Sequence, residues 1–270
     1  MHLNPPRPVT KLMFERIFLQ KDSTGVLEKI KGQIKIENSI QFFPFIGYLY
    51  SIPKKSNSIR LYYTSFAQTT STIAHQIKAK AIINGGFWDN AKLPLDWCEI
   101  DGKIITPLHN SNRPCIYWPI DPNFQLKIDK PNLNQKFSAV LQAGPLLLQN
   151  NEIHTDYSDF VLNAAEFDSD ITADRHPRTI FGYNDESNFF LVIDGRSLKT
   201  AGLYLEECAQ LTQQLGFTDA INLDGGASST IVVGEKRINE PRFSFIRGSR
   251  FLSACIPGKE RAIPTFIYVL

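Results

Sequence analysis

Long runs of a single charge sign are missing from this chain of 270 residues. Its 29 lysines and arginines face 27 aspartates and glutamates, a net charge of +2. A nucleic-acid partner demands a basic stripe along the phosphate backbone, so no such partner is expected. No apolar run reaches transmembrane length, and no membrane span is expected. The opening residues MHLNPPRPVTK lack the apolar centre of a signal peptide. The expected location is the cytoplasm, or the exterior with a signal already removed. Cysteine is scarce: Cys98, Cys115, Cys208 and Cys255 form no C-x-x-C pair and no zinc spacing. Cys208 falls on the apolar stripe of a predicted helix and reads as a buried free thiol, and the other three read as inert too. No G-x-S-x-G nucleophile elbow exists, which counts against a triad of Ser228 or Ser229 with His176 and Asp194. The remaining composition is ordinary for a globular protein, 43% hydrophobic and 21% charged. The length suits one large domain or two small ones.

What the chain does have is concentrated in residues 219–233, DAINLDGGASSTIVV. The β-formers Ala220–Leu223 stop at Asp224, two glycines, an alanine and two serines follow, and a second apolar run, Ile231–Val233, closes the stretch. A buried strand would thus deliver a carboxylate to its carboxyl end, where small residues let a ligand approach the backbone. Strand ends of this kind commonly carry the chemistry of α/β proteins. A simple turn needs one Gly or an Asp-Gly, less than is present here.

Taken in order, residues 1–10 are a proline-rich lead-in, followed by strand-like runs at 14–19, 46–52 and 59–63. A helix is expected over 70–80, capped by Thr70, Ser71 or Thr72, with Ile73 and Ile77 on one face. Ala81–Ile83 then leads to Asn84-Gly85-Gly86-Phe87-Trp88, the same pattern of short strand, polar residue and paired glycines. A hairpin turns at Asp101-Gly102, and strands follow at 115–118 and 124–128. Phe137–Leu148 is apolar but broken by Ala143-Gly144-Pro145. Residues 149–174 form a polar excursion long enough to serve as a lid. Arg175-His176-Pro177-Arg178-Thr179 leads to a strand at 180–183, and Phe189–Ile193 ends at Asp194-Gly195-Arg196. Tyr204, Cys208, Leu211 and Leu215 recur at helical spacing, with Gly216 as the stop.

Strand 189–193, helix 203–215 and strand 220–223 together read as one βαβ unit over 189–223, with parallel strands. The expected fold class is α+β or mixed α/β, with mixed β-sheets and few helices. Asp194 and Asp224 should then share one sheet rim, joined there by Asn84-Gly85-Gly86. Residues 1–65 are expected to be a strand-rich scaffold packed on the core, and 66–270 the catalytic domain.

Two carboxylates near glycine-rich backbone and arginines suit hydrolysis of a sugar linkage or a phosphate ester. Arg178 and Arg196 have the fork geometry to grip phosphate, and the amides of Gly225, Gly226 and Ala227 could cradle an anion. His176 either orients its loop or moves a proton. No cofactor is predicted. Asp194, Asp224 and Asn84 also carry the oxygens that a divalent cation such as Ca²⁺ or Mg²⁺ would use.

Several of these motifs resemble the phosphodiester glycosidase family. They are Asn84-Gly85-Gly86-Phe87, Gly144-Pro145-Leu146, His176-Pro177-Arg178-Thr179 with Gly182, and Asp194-Gly195-Arg196 with Gly202. Asn222-Leu223-Asp224-Gly225-Gly226 with Ser228-Ser229-Thr230 continues the series, followed by Asn239 with Pro241 and by Glu260-Arg261. Order and spacing match over roughly residues 80–270. The resemblance implies hydrolysis of a sugar-1-phosphodiester, of the N-acetylglucosamine-1-phosphodiester kind, at the glycosidic bond. Many bacterial members of the family are associated with exopolysaccharide. It implies Asp224, Asp194 and His176 as catalytic residues. Asn84, Gly85, Gly86, Arg178, Arg196, Gly225, Gly226, Ser228 and Ser229 would bind a sugar phosphodiester or polysaccharide. The family usually has a third glycine where this chain has Ala227, whose methyl should narrow the approach or forbid a positive φ. Trp88 stands where Phe or Tyr is common. A metal-dependent phosphodiesterase and a non-catalytic sugar-phosphate-binding module remain the competing classes, and the oligomeric state is open.

Overall fold

A computed structural model describes residues 10–37, 39–56, 59–109, 112–121, 125–154, 174–244 and 255–270. The expected lid, within 149–174, falls mostly outside the described residues.

The first strands are β1 (Thr10–Lys21), β2 (Val26–Ile36), β3 (Phe42–Pro53) and β4 (Ile59–Gln68), followed by helix α1 (Thr70–Ile77). Then come β5 (Ala81–Asn84), β6 (Cys98–Ile100), β7 (Lys103–Thr106), β8 (Cys115–Pro119), β9 (Lys127–Asp129) and β10 (Phe137–Gln142). The chain continues through β11 (Leu146–Gln149), β12 (Glu152–Ile153), β13 (Arg178–Tyr183), β14 (Ser187–Ile193) and helix α2 (Leu205–Gln214). It finishes with β15 (Asp219–Asn222), β16 (Ile231–Val233), β17 (Lys236–Arg237), β18 (Arg242–Ser244), β19 (Cys255–Pro257) and β20 (Ile263–Val269).

Three large sheets and a two-stranded β18-β19 ribbon build the described residues. An eight-stranded sheet runs β1-β2-β3-β14-β13-β15-β11-β12; a second sheet, of five strands, runs β17-β16-β5-β20-β4, and a third, also of five, runs β7-β6-β10-β8-β9. All three contribute to one central core, in which Tyr50, Phe190 and Val192 of the large sheet meet Ile83 and Ile267 of the second and Ile116 and Leu141 of the third. The large sheet is also covered on its other face by α2, where Phe189, Leu191 and Ile193 pack with Leu205, Cys208 and Leu211. Successive residues of β14 therefore alternate between two apolar environments, as the pleat requires. Helix α1 covers the outer face of the second sheet through Ile73 and Ala74.

The fold is thus mostly antiparallel sheet with two helices among the described residues. The expected βαβ geometry needs correcting in one respect. β14 and β15 do run in the same direction, but each pairs antiparallel with β13, which lies between them. A strand covered on both faces carries a continuous apolar run whether its neighbours are parallel or antiparallel, so composition alone did not separate the two. The N-terminal strands are woven into these sheets. β3 pairs with β14, β4 pairs with β20, and a boundary at residue 65 falls inside β4.

Local expectations fare well elsewhere. The hairpin of β6 and β7 turns on Asp101 and Gly102, both at positive φ (51° and 74°), the geometry of an Asp-Gly turn. The cap of α1 is Thr69, whose hydroxyl accepts from Thr72 N at 3.2 Å, one residue before the expected candidates. The Ala143-Gly144-Pro145 break moves the chain from β10 in one sheet to β11 in another. Cys98, Cys115 and Cys208 are buried free thiols.

Candidate active site

β15 ends at Asn222, and the chain passes through Leu223 to Asp224 and a short turn over Gly226–Ser228. Two asparagines hold this exit. Asn222 Nδ2 donates to Gly144 O at 3.0 Å, tying the strand end to the β10–β11 crossing. Asn84, fully buried at the end of β5, does more. Its Nδ2 donates to Asp224 O at 2.6 Å, and its Oδ1 accepts from Thr179 Oγ1 at 2.7 Å and Thr230 N at 3.1 Å. Asp224 N donates in turn to Gly85 O at 3.1 Å. The Asn84-Gly85 and Asp224 segments therefore meet across two different sheets, and the carboxylate is fixed at their junction.

The Asp224 side chain keeps part of its surface, yet its surroundings are dense. Burial raises its pKa above the ordinary carboxylate value, opposed by the Ser228 hydroxyl, the Arg261 charge, the Trp88 indole and the Gly225 amide. Trp88 Nε1 donates to Asp224 Oδ2 at 3.1 Å.

Asp194, at the exit of β14, is 7% exposed. Its Oδ1 accepts from Asn239 Nδ2 at 3.0 Å and from Glu240 N at 3.3 Å. Burial pushes its pKa up to about 6; the Asn239 and Glu240 hydrogen bonds oppose this, and the Glu240 charge adds to it. Asn239 also donates to Ser229 O at 2.9 Å and accepts from Ile231 N at 2.9 Å. One asparagine thus ties the second carboxylate to the loop that follows the first.

His176-Pro177 joins the two aspartate loops from the other side. Gly226 N donates to Pro177 O at 2.9 Å, and a Cβ on Gly195 would stand 2.8 Å from Pro177 N. His176 exchanges backbone hydrogen bonds with Leu203 at 3.2 and 3.1 Å. The approach is set by Gly202, whose φ is +84° and whose hypothetical Cβ would overlap the His176 carbonyl. The preceding Arg175 lies between the Phe43 and Tyr204 rings, 4.4 Å from each centroid, and forms a two-point ion pair with buried Glu207 of α2.

The structure thus gathers Asp224, Asp194, His176, Ser228, Gly225 and Gly226 around one loop cluster, and redirects several other expected residues. Arg178 is 2% exposed, and its Nε donates to Leu203 O at 3.0 Å while Nη2 donates to Asp174 O at 3.1 Å. It braces backbone carbonyls in the interior. Asn84 is occupied by protein partners, so it positions Asp224 rather than a sugar hydroxyl; with Oδ1 already accepting two donors, it is also poorly placed as a cation ligand. Gly85 and Gly86 are buried because Thr265 and Gln142 O press against them, a packing reason for glycine. Ser229 is completely buried, its carbonyl serving Asn239. The amide cradle is also altered: Gly226 N is taken by Pro177 O, and the Gly225 amide serves the Asp224 carboxylate. Ala227 is 1% exposed, so its methyl faces the core and does not narrow the approach. Among the described residues no group of three His, Cys, Asp or Glu side chains gathers as a metal site.

Arg196 stays near the site. Its φ is +58°, and its guanidinium lies over Gly226, where a Cβ would come within 3.0 Å of Nη2. Three neighbours were not singled out as site residues by sequence: Asn239, Arg261 and Lys92. Lys92 Nζ stands 3.5 Å from the Trp88 ring centroid and Arg261 Cζ 5.6 Å from it. Asn239 and Arg261 belong to the motifs quoted above; no local signal marks Lys92. Two clefts, of about 510 and 380 Å³, lie away from this cluster, around Lys54 and Tyr183 and around Trp118 and Tyr268.

A layered, mostly antiparallel β-rich scaffold that presents two desolvated aspartates on neighbouring loops is the class defined so far. The family model for phosphodiester glycosidase matches residues 78–270, and the chain belongs to that family. No curated protein matches the sequence. Among solved structures it is similar to the zebrafish N-acetylglucosamine-1-phosphodiester alpha-N-acetylglucosaminidase catalytic domain, auto-inhibited by its pro-peptide. That match has 18% identity and a TM-score of 0.66, covering 99% of this chain and 85% of that one. A hypothetical protein from Synechocystis matches at 16% identity and TM-score 0.65, over 90% of this chain and 62% of that one. A putative exported protein from Burkholderia pseudomallei matches at 12% identity and TM-score 0.61, over 100% and 98%. These likenesses establish the fold.

Proposed function

We propose that this protein hydrolyses a sugar-1-phosphodiester, of the N-acetylglucosamine-1-phosphodiester kind, at the glycosidic C–O bond. The products are free sugar and a phosphate monoester. The observation that carries this reading is the environment of Asp224: a carboxylate held at a strand exit, desolvated, hydrogen-bonded by Trp88 and approached by cationic side chains.

The chemistry follows from the leaving group. A phosphate monoester departs far more readily than an alcohol, so a strong general acid is less necessary. Preorganised positive charge stabilises the developing anion instead, and Arg196 beside Gly226 supplies part of it. Asp224 works at the anomeric carbon, as nucleophile or as the base that activates water. Its raised pKa brings its basicity closer to neutral pH, where a base transfers protons most effectively. Asp194, less exposed and committed to Asn239 and Glu240, is the electrostatic partner and holds the glycine loop in register. His176 orients water or a sugar hydroxyl, and Ser228 steadies Asp224.

Incubation with the methyl diester of N-acetylglucosamine-1-phosphate, with and without chelator, tests this. Turnover should survive the chelator and fall by about 10³-fold in Asp224→Asn. Turnover of Asp224→Asn within a few-fold of the parent would remove Asp224 from the chemistry. Loss of turnover with chelator would favour a metal-dependent phosphodiesterase.

A further inference from the structure

The loop that follows β5 holds a feature the assignment above does not use. Residues 88–94 close on themselves: Trp88 bridges to Pro94, Asp89 N donates to Leu93 O at 2.9 Å, and Leu93 N donates to Asp89 Oδ1 at 2.9 Å. At the tip, Lys92 adopts a left-handed φ of 65°. That conformation costs a non-glycine residue on the order of 1 kcal/mol, a place where Gly or Asn is the unstrained choice. The turn delivers the lysine ammonium onto the face of the Trp88 indole, 3.5 Å from its centroid.

Trp88 is the same indole that hydrogen-bonds Asp224, and Arg261 approaches it from the C-terminal end of the chain, 5.6 Å from the centroid. Burial disfavours the Lys92 charge and so does nearby Arg261, while Asp224 and Asp89 favour it. Asp89 is engaged in its own turn, and Asp224 is the group assigned to chemistry. Two cations are therefore drawn from distant parts of the sequence to one half-buried aromatic platform. A phosphoryl group docked on this platform would meet both charges at once.

We propose that Lys92 and Arg261, set around the Trp88 indole beside Asp224, form the phosphoryl-binding subsite of this centre. The ligand class is a phosphate mono- or diester. This rests on the glycosidase reading for its role in turnover and makes the negative charge of the leaving group the feature this chain selects. Lys92 is a specificity residue here: it contacts the phosphoryl oxygens and takes no part in bond making at the sugar.

The test separates binding from turnover. Inorganic phosphate and methyl phosphate are titrated against the parent, Lys92→Met and Lys92→Arg, and Trp88 fluorescence is followed. Trp88→Phe identifies the part of the signal that does not come from Trp97 and Trp118. A charge-assisted hydrogen bond is worth roughly 1.5–3 kcal/mol, so Lys92→Met should weaken phosphate binding by about 10- to 100-fold. Lys92→Arg, which keeps the charge, should stay within about 3-fold of the parent. In parallel, Lys92→Met should lose kcat/KM on the methyl phosphodiester and keep it on a neutral aryl glycoside of the same sugar. Phosphate affinity in Lys92→Met within 2-fold of the parent would overturn the proposal, as would equal losses on the charged and neutral substrates. If phosphate binding depends on Lys92 but no glycoside is turned over, the anion subsite stands and the glycosidase reading falls.

Discussion

Replacement of Asp194 with Asn should change how the stability of this protein depends on pH. Burial lifts the pKa of Asp194 from 3.8 to about 6 despite hydrogen bonds from Asn239 and Glu240. The shift is therefore about 2 units, or about 3 kcal/mol of differential stability between the two protonation states. The sign follows from proton counting. Between pH 3.8 and 6 the folded protein holds the Asp194 proton more tightly than the unfolded chain does. Its contribution is therefore fully present below pH 3.8 and is lost as pH rises through about 6. Asparagine keeps an acceptor for Asn239 and Glu240 but cannot ionise. Urea unfolding of parent and Asp194→Asn at several pH values from 4 to 7 isolates the effect, because every other titration cancels in the difference. The parent should lose about 2 kcal/mol relative to the variant between pH 4 and pH 7. A flat difference, or one that grows in favour of the parent, would refute the buried, proton-retaining Asp194.

Asn84→Ala should destabilise the fold by about 4 kcal/mol in urea unfolding, because Thr230 N and Asp224 O lose their buried partner together. A cost below about 1 kcal/mol would mean that Asn84 does not hold the Asp224 junction. Gly202→Ala should lower turnover at least 10-fold, since its Cβ would overlap the His176 carbonyl and displace His176-Pro177. Gly216→Ala is the control: its φ of +87° is equally left-handed but no atom lies within 4 Å, so it should cost about 1 kcal/mol of stability and spare turnover. Equal kinetics in the two variants would detach His176 from the site.

The opening in the sequence was glycine. The paired glycines after Asn84 and Asp224, and those at 195 and 202, mark places where the chain packs closely against its neighbours, and they pointed to the loops that meet around Asp224. What glycine spacing could not reveal was the purpose of each approach. At Gly85 the neighbour is Thr265, at Gly195 it is Pro177, and neither leaves room for a substrate. Arg178 shows a second limit: an arginine at a strand start reads the same whether it faces phosphate or, as here, interior carbonyls. The antiparallel β13 between β14 and β15 was hidden because a sheet covered on both faces erases the alternation that marks an exposed antiparallel strand. Lys92 left no trace, since it reaches Trp88 through a left-handed turn closed by hydrogen bonds within residues 88–94. Helix α2 and the Asp101-Gly102 hairpin were legible because their signals are local.

Hydrolysis of the methyl phosphodiester in oxygen-18 water tests the central claim most directly. Attack at the anomeric carbon, directly or through an enzyme-bound sugar, places the label in the released sugar, and that is the predicted result. Label found in the phosphate would mean cleavage of the P–O bond and would contradict the account.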